Sequence, residues 1–273
     1  MLTAVHLLLR LTGTSFQVYL SGKIGAEGIG LLQLTLSIGN FAMVAGIAGI
    51  RTATMYLSAE ELGRRKPENI PWVLSGCIRY SIIAGGITAV TLCVTAPIIA
   101  EKWINHPEVI PSLRLVSGFL CVNCLCGVTT GYFTAEGRIG TLAAVEVAEQ
   151  LFSMTVTVLC LTLWAGSDPG RACESVILGS GAGACLTLLS LLILRLRENC
   201  VSGPKIKTAR RLTSTAIPLA VSDILRSGIS TLENMMVPKR LALAPGITSA
   251  LGSFGILSGM VFPVLMFPAA ILF

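Results

Sequence analysis

Long apolar runs alternate with short charged breaks along the whole chain. The runs cover about residues 2–22, 28–58, 72–100, 112–134, 139–164, 174–194 and 213–236, and another begins near 247. A helix rises about 1.5 Å per residue, so roughly 20 apolar residues cross a hydrocarbon core of about 30 Å. Inside a bilayer every backbone polar group must find its partner within the protein, which a helix does by itself. The pattern therefore predicts an all-α, polytopic transmembrane helix bundle of about eight spans. The breaks are Glu60-Glu61-Leu62-Gly63-Arg64-Arg65-Lys66-Pro67-Glu68, Glu101 to Glu108, the short turn Glu136-Gly137-Arg138, Gly166 to Arg171, and a basic loop over 195–211.

The bases are unevenly divided among these breaks. One set of loops holds Arg64, Arg65, Lys66, Arg138, Arg195, Arg197, Lys205, Lys207, Arg210 and Arg211. The opposite set holds Lys23, Lys102, Arg171, Lys239 and Arg240. Short loops rich in Lys and Arg stay in the cytoplasm, so the first set and the N-terminus are expected there. Lys239 and Arg240 fall on the wrong side of this scheme. The last run, Val261 to Phe273, has no polar flank, and the chain is expected to be a fragment of a longer frame.

Composition strengthens this reading. Hydrophobic residues make up 53% of the 273 positions, charged residues 12%, and the mean hydropathy is +0.79. Soluble domains carry about 25% charged residues. The net charge of +6 is spread over the ends of apolar runs, so the basic patch that nucleic-acid binding needs is missing. Nine cysteines lie mostly inside apolar runs. Cys121-Val-Asn-Cys124 has redox or zinc spacing, but no second pair or histidine completes four ligands, so no metal is expected. Such cysteines read as small buried hydrophobes. Gly179-x-x-x-Gly183 reads as a close helix crossing; a phosphate loop would need a preceding strand and a following Lys. The first run lacks the basic start and cleavage site of a signal peptide.

Candidate chemistry lies in the charges within the spans. A charge at mid-bilayer costs about 2.5–3.5 kcal/mol on insertion scales, so it should face a cavity, a partner or a pathway. His6, Arg10, Thr14, Gln17 and Ser21 share one face of span 1, and Gln33, Ser37 and Asn40 one stripe of span 2. Arg51 and Arg79 lie about two turns inside their spans, near enough to snorkel. Span 5 aligns Glu146, Glu149, Gln150 and Ser153. Span 7 carries Thr215, Ser222, Asp223, Arg226, Ser230, Glu233 and Asn234. Asp223 and Arg226, three apart, have the spacing of a structural ion pair. One shared water-filled cavity would hide all these stripes. Its arginines would suit an anionic headgroup, because a planar guanidinium can hold two phosphate oxygens at once.

Several stretches resemble the stage V sporulation protein B family, a branch of the multidrug/oligosaccharidyl-lipid/polysaccharide exporter superfamily. They are Arg10-Leu-Thr-Gly13, Tyr19-Leu-Ser21, Ile24-Gly-Ala-Glu-Gly-Ile-Gly-Leu-Leu-Gln33, Pro111-Ser-Leu-Arg114, Gly131-Tyr-Phe-Thr-Ala-Glu-Gly-Arg138, Glu146-Val-Ala-Glu-Gln150, Ile217-Pro218 and Ala250 to Met260. The resemblance covers nearly the whole chain. It implies two six-helix lobes around a central cavity, related as parallel repeats and worked by alternating access. The chain would then divide into a first lobe over 1–194, a basic cytoplasmic loop over 195–212, and the first two helices of the second lobe over 213–273. Ile24 to Gly30 is loosely echoed by Ile247 to Gly255.

The resemblance further implies a flippase of the bacterial cytoplasmic membrane. It would move a lipid-linked saccharide for cell-wall, spore-cortex or polysaccharide building, with membrane lipids and a coupling cation as further partners. Arg10 falls where the superfamily's lipid II flippase has an arginine in its first helix, and Arg51 near one at the end of its second. Gln17 stands where a further base is expected. On this reading Arg10, Arg51 and Arg226 hold the phosphates, with Gln17 on the same substrate-facing stripe as Arg10. Asp223, Glu233 and Asn234 make gating or sugar contacts, and Glu149 and Gln150 couple to an ion. No cofactor is expected. The alternative of the same fold is a cation-coupled multidrug exporter, whose cavity should be dominated by carboxylates. A membrane enzyme acting on lipid-linked sugar would need an acidic metal motif in an interfacial loop; Asp168 is the only Asp in the loops, so no enzyme is expected.

Overall fold

The computed structural model describes residues 2–47, 49–165, 168–196, 209–243 and 249–265. Gly166, Ser167, residues 197–208 of the basic loop and residues 266–273 of the last apolar run lie outside these. The described elements are helical: α1 Leu2–Ile47, α2 Ile50–Gly63, α3 Ile70–Ile99, α4 Ile110–Ala135, α5 Ile139–Cys160, α6 Pro169–Leu196, α7 Ala209–Leu241, α8 Ala250–Gly255 and α9 Phe262–Leu265. Widened π-type turns extend α3 to Ile104 and α5 to Ala165, and join α8 to α9.

Helix α1 is two limbs meeting at Gly25, whose φ of 76° and ψ of 173° are not helical. The chain folds back there. A straight helix would separate Gln17 from Ile29 by about 18 Å. Yet a Cβ built on Gly259 would stand 2.2 Å from Ile29 Cγ2 and 3.8 Å from Gln17 Nε2. The two limbs are therefore the first two expected spans. The second span is interrupted: α1 ends at Ile47, and Gly49, at φ 70°, precedes α2.

Five helical stretches among the described residues are long and apolar enough to cross a membrane: Leu7–Gly63, Ile70–Ile104, Pro107–Ala135, Ile139–Trp164 and Pro169–Leu196. The first holds both limbs of α1. Helix α7 has 33 residues, about 50 Å of rise, but its charges lower its hydropathy. The helix ends follow local chemistry. Pro71 and Pro111 occupy the first turns of α3 and α4, where a missing N–H costs nothing. Gly137, at φ 74°, turns the chain from α4 into α5. The Asp168 side chain accepts from Gly170 N–H (3.2 Å) at the start of α6.

Some expected breaks are helical. Glu60 and Glu61 belong to α2, and Glu101 to Ile104 continue α3. Lys239 and Arg240, placed in a loop by the hydropathy pattern, lie in the last turn of α7. Their charge suits the negative end of the helix dipole.

The second limb of α1 is the central element. Ile29, Leu31 and Ile38 pack with Leu113 and Leu120 of α4 and Cys173 and Ile177 of α6 in the largest core cluster. The outer faces are apolar: Ile82, Ile83, Ile87, Val90 and Val94 run along α3 exposed. Such a stripe suits lipid and leaves the polar stripes to be covered from within.

Candidate functional site

Arg51 sits in the first turn of α2, and close contacts at three glycines hold that turn. A Cβ on Gly49 would lie 2.9 Å from both the Ala216 carbonyl oxygen and Leu219 Cβ of α7. On α4, a Cβ on Gly131 would lie 2.4 Å from the Arg51 carbonyl oxygen, and one on Gly127 would lie 3.9 Å from Arg51 Cβ. Gly127-x-x-x-Gly131 is thus a close crossing that seats Arg51.

The Arg51 side chain opens into a cavity of about 210 Å³ between α2, α4, α5 and α6. Asn123, Thr130, Glu146, Glu149 and Thr187 supply its other polar walls. Glu146 and Glu149 are half-buried. The Thr187 hydroxyl donates to Glu149 Oε2 at 2.6 Å. Among the described residues, Arg51, Glu146 and Glu149 enter no ion pair.

A second cavity, of about 360 Å³, lies between α1 and α7. Val44, Ile47, Asp223, Arg226, Ser227 and Ser230 line it. Ile47 lines both cavities, so a single side chain stands where they adjoin. Asp223 and Arg226 share this second cavity without pairing, which corrects the pairing that their spacing allowed. Each is exposed on α7.

The other candidates stand elsewhere. The Asn234 side-chain amide donates to the Ser37 hydroxyl (3.0 Å), and Thr231 donates to the Ser37 carbonyl (3.3 Å), joining α7 to α1. Glu233 is exposed and lines neither cavity. Gln150 Nε2 donates to the Leu9 carbonyl at 2.9 Å. Gly13 leaves the room for it: a Cβ there would stand 3.2 Å from that nitrogen. Arg10 adjoins Leu9, is exposed and lines neither cavity. Gln17 is half-buried beside Gly259. The structure therefore brings Arg51 and Glu149 into one cavity and Asp223 and Arg226 into its neighbour, and leaves Arg10, Gln17, Gln150, Glu233 and Asn234 outside both.

The start of α7 and the short α8 are tied to the earlier helices. Near the basic turn 64–66, Arg211 of α7 donates to Glu61 Oε1 (3.0 Å) and Glu60 Oε2 (2.6 Å). Asn69 donates to the other Glu61 oxygen (2.9 Å), and Arg64 pairs with Glu60 (2.6 Å). The carboxylates of Glu61 and Glu60 raise the pKa of Arg211 above its ordinary value. At the opposite end the Ser249 hydroxyl donates to Glu27 Oε1 (2.5 Å). There α8 crosses α1 backbone to backbone: a Cβ on Gly255 would meet the Ala26 carbonyl oxygen at 2.0 Å.

Sequence reasoning missed Asn123, Thr130 and Thr187 as cavity walls, and the Arg211 cluster. A polar residue inside α4 or α6 is the available signal for the first three. An acidic pair inside a basic loop is the signal for the last.

Residues 3–163 match the family model MatE. The chain belongs to the MatE family. It is a multi-pass helical membrane protein, as its apolar helices require. Over 280 residues it is 23% identical to "Stage V sporulation protein B" of Bacillus subtilis (strain 168), covering 99% of this chain and 54% of that protein. The chain thus spans about half the length of this curated relative. Both findings agree with the family that the Arg10–Gln33 stretch and the later stretches resemble. No solved structure matches. The MatE match covers α1 to α5 and ends before α6, so Thr187 reaches the Arg51 cavity from beyond it.

Proposed function

We propose that this MatE chain forms the first six-helix lobe, over 1–194, and the opening helices of the second lobe, over 213–273, of a flippase for a lipid-linked saccharide. Its basic end, including the loop over 195–212, faces the cytoplasm. The observation that carries this reading is Arg51: a guanidinium with no ion-pair partner among the described residues, opening into a polar cavity. A cation kept in a membrane protein without a counter-ion is costly. A pyrophosphate group offers the oxygens its planar fork can hold.

Arg226 supplies a second cation in the adjoining cavity, on the other side of Ile47. Two arginines across one apolar side chain fit a headgroup with two phosphates. Ser227, Ser230 and Asn123 stand near them as hydrogen-bonding groups for sugar hydroxyls. The relative's printed name, a sporulation protein, supports a role in sporulation.

The test is translocation of a fluorescent isoprenoid-pyrophosphate saccharide in vesicles carrying the protein. Arg51→Ala and Arg226→Ala should each slow it about tenfold or more, the loss expected for a charge-assisted bond. Equal rates for wild type and both variants would refute the reading. The second reading, a cation-coupled drug exporter, is favoured by Glu146 and Glu149 in the same cavity. It predicts that cells gain resistance to cationic drugs, and that Glu149→Gln removes this resistance.

A further inference from the structure

We infer that the end of the bundle opposite the basic 64–66 turn holds one phospholipid whose headgroup carries both a phosphate and a primary ammonium, as phosphatidylethanolamine does. The site is a cavity of about 260 Å³ between the first limb of α1, the end of α5 and the start of α6. It shares no lining residue with the Arg51 and Arg226 cavities, so it stands apart from their proposed role. Its polar walls divide by hydrogen-bonding sense. Tyr19 and Lys23, one turn apart on α1, supply donors, and the Tyr19 ring is stacked on Phe16 with centroids 6.4 Å apart. Thr162 and Asp168 supply acceptors. The Thr162 hydroxyl donates to the Val158 and Leu159 carbonyls (both 3.0 Å), which leaves its lone pairs open to the cavity. The Asp168 carboxylate accepts from Gly170 N–H (3.2 Å) and lies 3.6 Å from Arg171, so further lone-pair sites remain. Lys23 and Asp168 line this one cavity without pairing, and Lys23 enters no ion pair among the described residues.

A lone phosphate or a lone amine uses half of these groups, whereas a headgroup with both uses all four. Lys23 and the Tyr19 hydroxyl can hold phosphate oxygens, and Asp168 and Thr162 can accept from an ammonium. The surrounding charge is balanced rather than basic. Arg171 stands beside Asp168, and Glu108 adjoins the start of α6, where a Cβ on Gly170 would stand 3.2 Å from the Glu108 Cβ. A purely anionic headgroup would face these carboxylates with nothing to offer them, and a choline headgroup has no N–H to donate. The position of the cavity makes the occupant a membrane lipid. Thr162 is followed by Leu163, 83% exposed, and Trp164, 57% exposed, and Trp103 at the same end is 52% exposed. Tryptophans collect at the headgroup level of a bilayer. The exposed leucine beside the cavity offers an acyl chain apolar surface to cover.

Native mass spectrometry of the full chain in detergent tests this, with phosphatidylethanolamine, phosphatidylcholine and phosphatidylglycerol of matched acyl chains as the probes. Wild type should hold one phosphatidylethanolamine at least about fivefold more tightly than either other lipid, the difference that about one hydrogen bond makes. Lys23→Ala should weaken it about fivefold or more, and Lys23→Arg should retain it, which separates loss of charge from loss of fold. Asp168→Asn keeps an acceptor for Gly170 at the start of α6, and should abolish the preference over phosphatidylcholine. Lys102→Ala removes an exposed base at the same end that lines no part of the cavity, and should change nothing. An affinity for either other lipid as high as for phosphatidylethanolamine overturns the inference. So does phosphatidylethanolamine binding that is unchanged in both Lys23→Ala and Asp168→Asn. Glycerophosphoethanolamine, the headgroup without acyl chains, should compete at least about tenfold more weakly than the intact lipid. Competition as strong as the lipid's own would make the ligand a soluble phosphoamine and overturn the assignment to a membrane lipid.

Discussion

A Cβ on Gly131 would stand 2.4 Å from the carbonyl oxygen of Arg51, so α4 and α2 meet backbone to backbone beside the unpaired arginine. A Cβ cannot occupy that space, and neither backbone can yield without moving its helix. Gly131→Ala should therefore displace α2 and cost about 1–3 kcal/mol, the usual range for overpacking. Thermal unfolding followed by tryptophan fluorescence checks this. Gly118→Ala, with nothing within 4 Å of its Cβ, is the control and should leave the midpoint unchanged.

Arg211 holds Glu60 and Glu61 from a position 150 residues away in sequence. The Glu61 side chain is only 3% exposed, so its charge depends on Arg211 and Asn69. Arg211→Ala should destabilise by about 1.5–3 kcal/mol, the value of hydrogen bonds to charged groups. Arg211→Lys should recover part of this, since an ammonium cannot fork across two carboxylates. A group whose pKa is raised on folding contributes stability that is fully present below its ordinary value and lost above its raised one, and for an arginine both lie far above neutrality. Deprotonation of Arg211 therefore cannot open this contact near neutrality. The unfolding midpoint of wild type minus that of Arg211→Ala should be constant between pH 6 and 8; a difference that collapses within that window would contradict the argument.

The sequence made the helices legible and their meetings much less so. Apolar length alone located the crossings, because a bilayer imposes one thickness on all of them. Gly25 could be read as a turn from its glycine-rich surroundings, and the structure folds back there. The break at Gly49 left no hydropathy trace, since Ile47 to Ile50 is as apolar as its surroundings. Span 5 showed Glu146 and Glu149 on one face, but not that Arg51 and Thr187 would face them, because that depends on how four helices cross. Spacing left a pair open at Asp223 and Arg226, three residues apart on a helix; in the structure both line the cavity between α1 and α7, exposed and not paired with each other. Gln150 and Asn234 read as functional polar residues, and in the structure each spends its amide on a neighbouring helix.

Asn234 and Glu233 are adjacent in sequence and should behave differently. Asn234 donates to Ser37 across the α1–α7 contact, whereas Glu233 is exposed without a described partner. Interhelical hydrogen bonds in membranes average about 0.6 kcal/mol and reach about 1.7. Asn234→Ala should destabilise by an amount in that range, and Ser37→Ala should add little once Asn234 is gone. Glu233→Gln should leave stability unchanged. A double-mutant cycle on unfolding midpoints gives the coupling; additive losses for Asn234 and Ser37 would rule out the bond as a stabilising contact.

Ile47 stands where the Arg51 cavity adjoins the one holding Asp223 and Arg226. If a headgroup engages both arginines, it must pass this side chain. Ile47→Ala removes bulk between the cavities while keeping an apolar wall, so translocation in the vesicle assay should persist at a rate within about threefold of wild type. Its cost falls on packing, because Ile47 also lies against both the Ile50–Leu57 core cluster and the larger one around Ile38. That cost should be about 2–5 kcal/mol or less, since the residue is only half-buried. Ile47→Trp fills the space on both sides and should stop translocation. UDP-N-acetylglucosamine, a soluble pyrophosphate diester, should still bind at Arg51 in that variant, because the guanidinium remains open to its own cavity. Translocation by Ile47→Trp at the wild-type rate would show that the substrate does not pass between the two cavities, and would confine it to one of them.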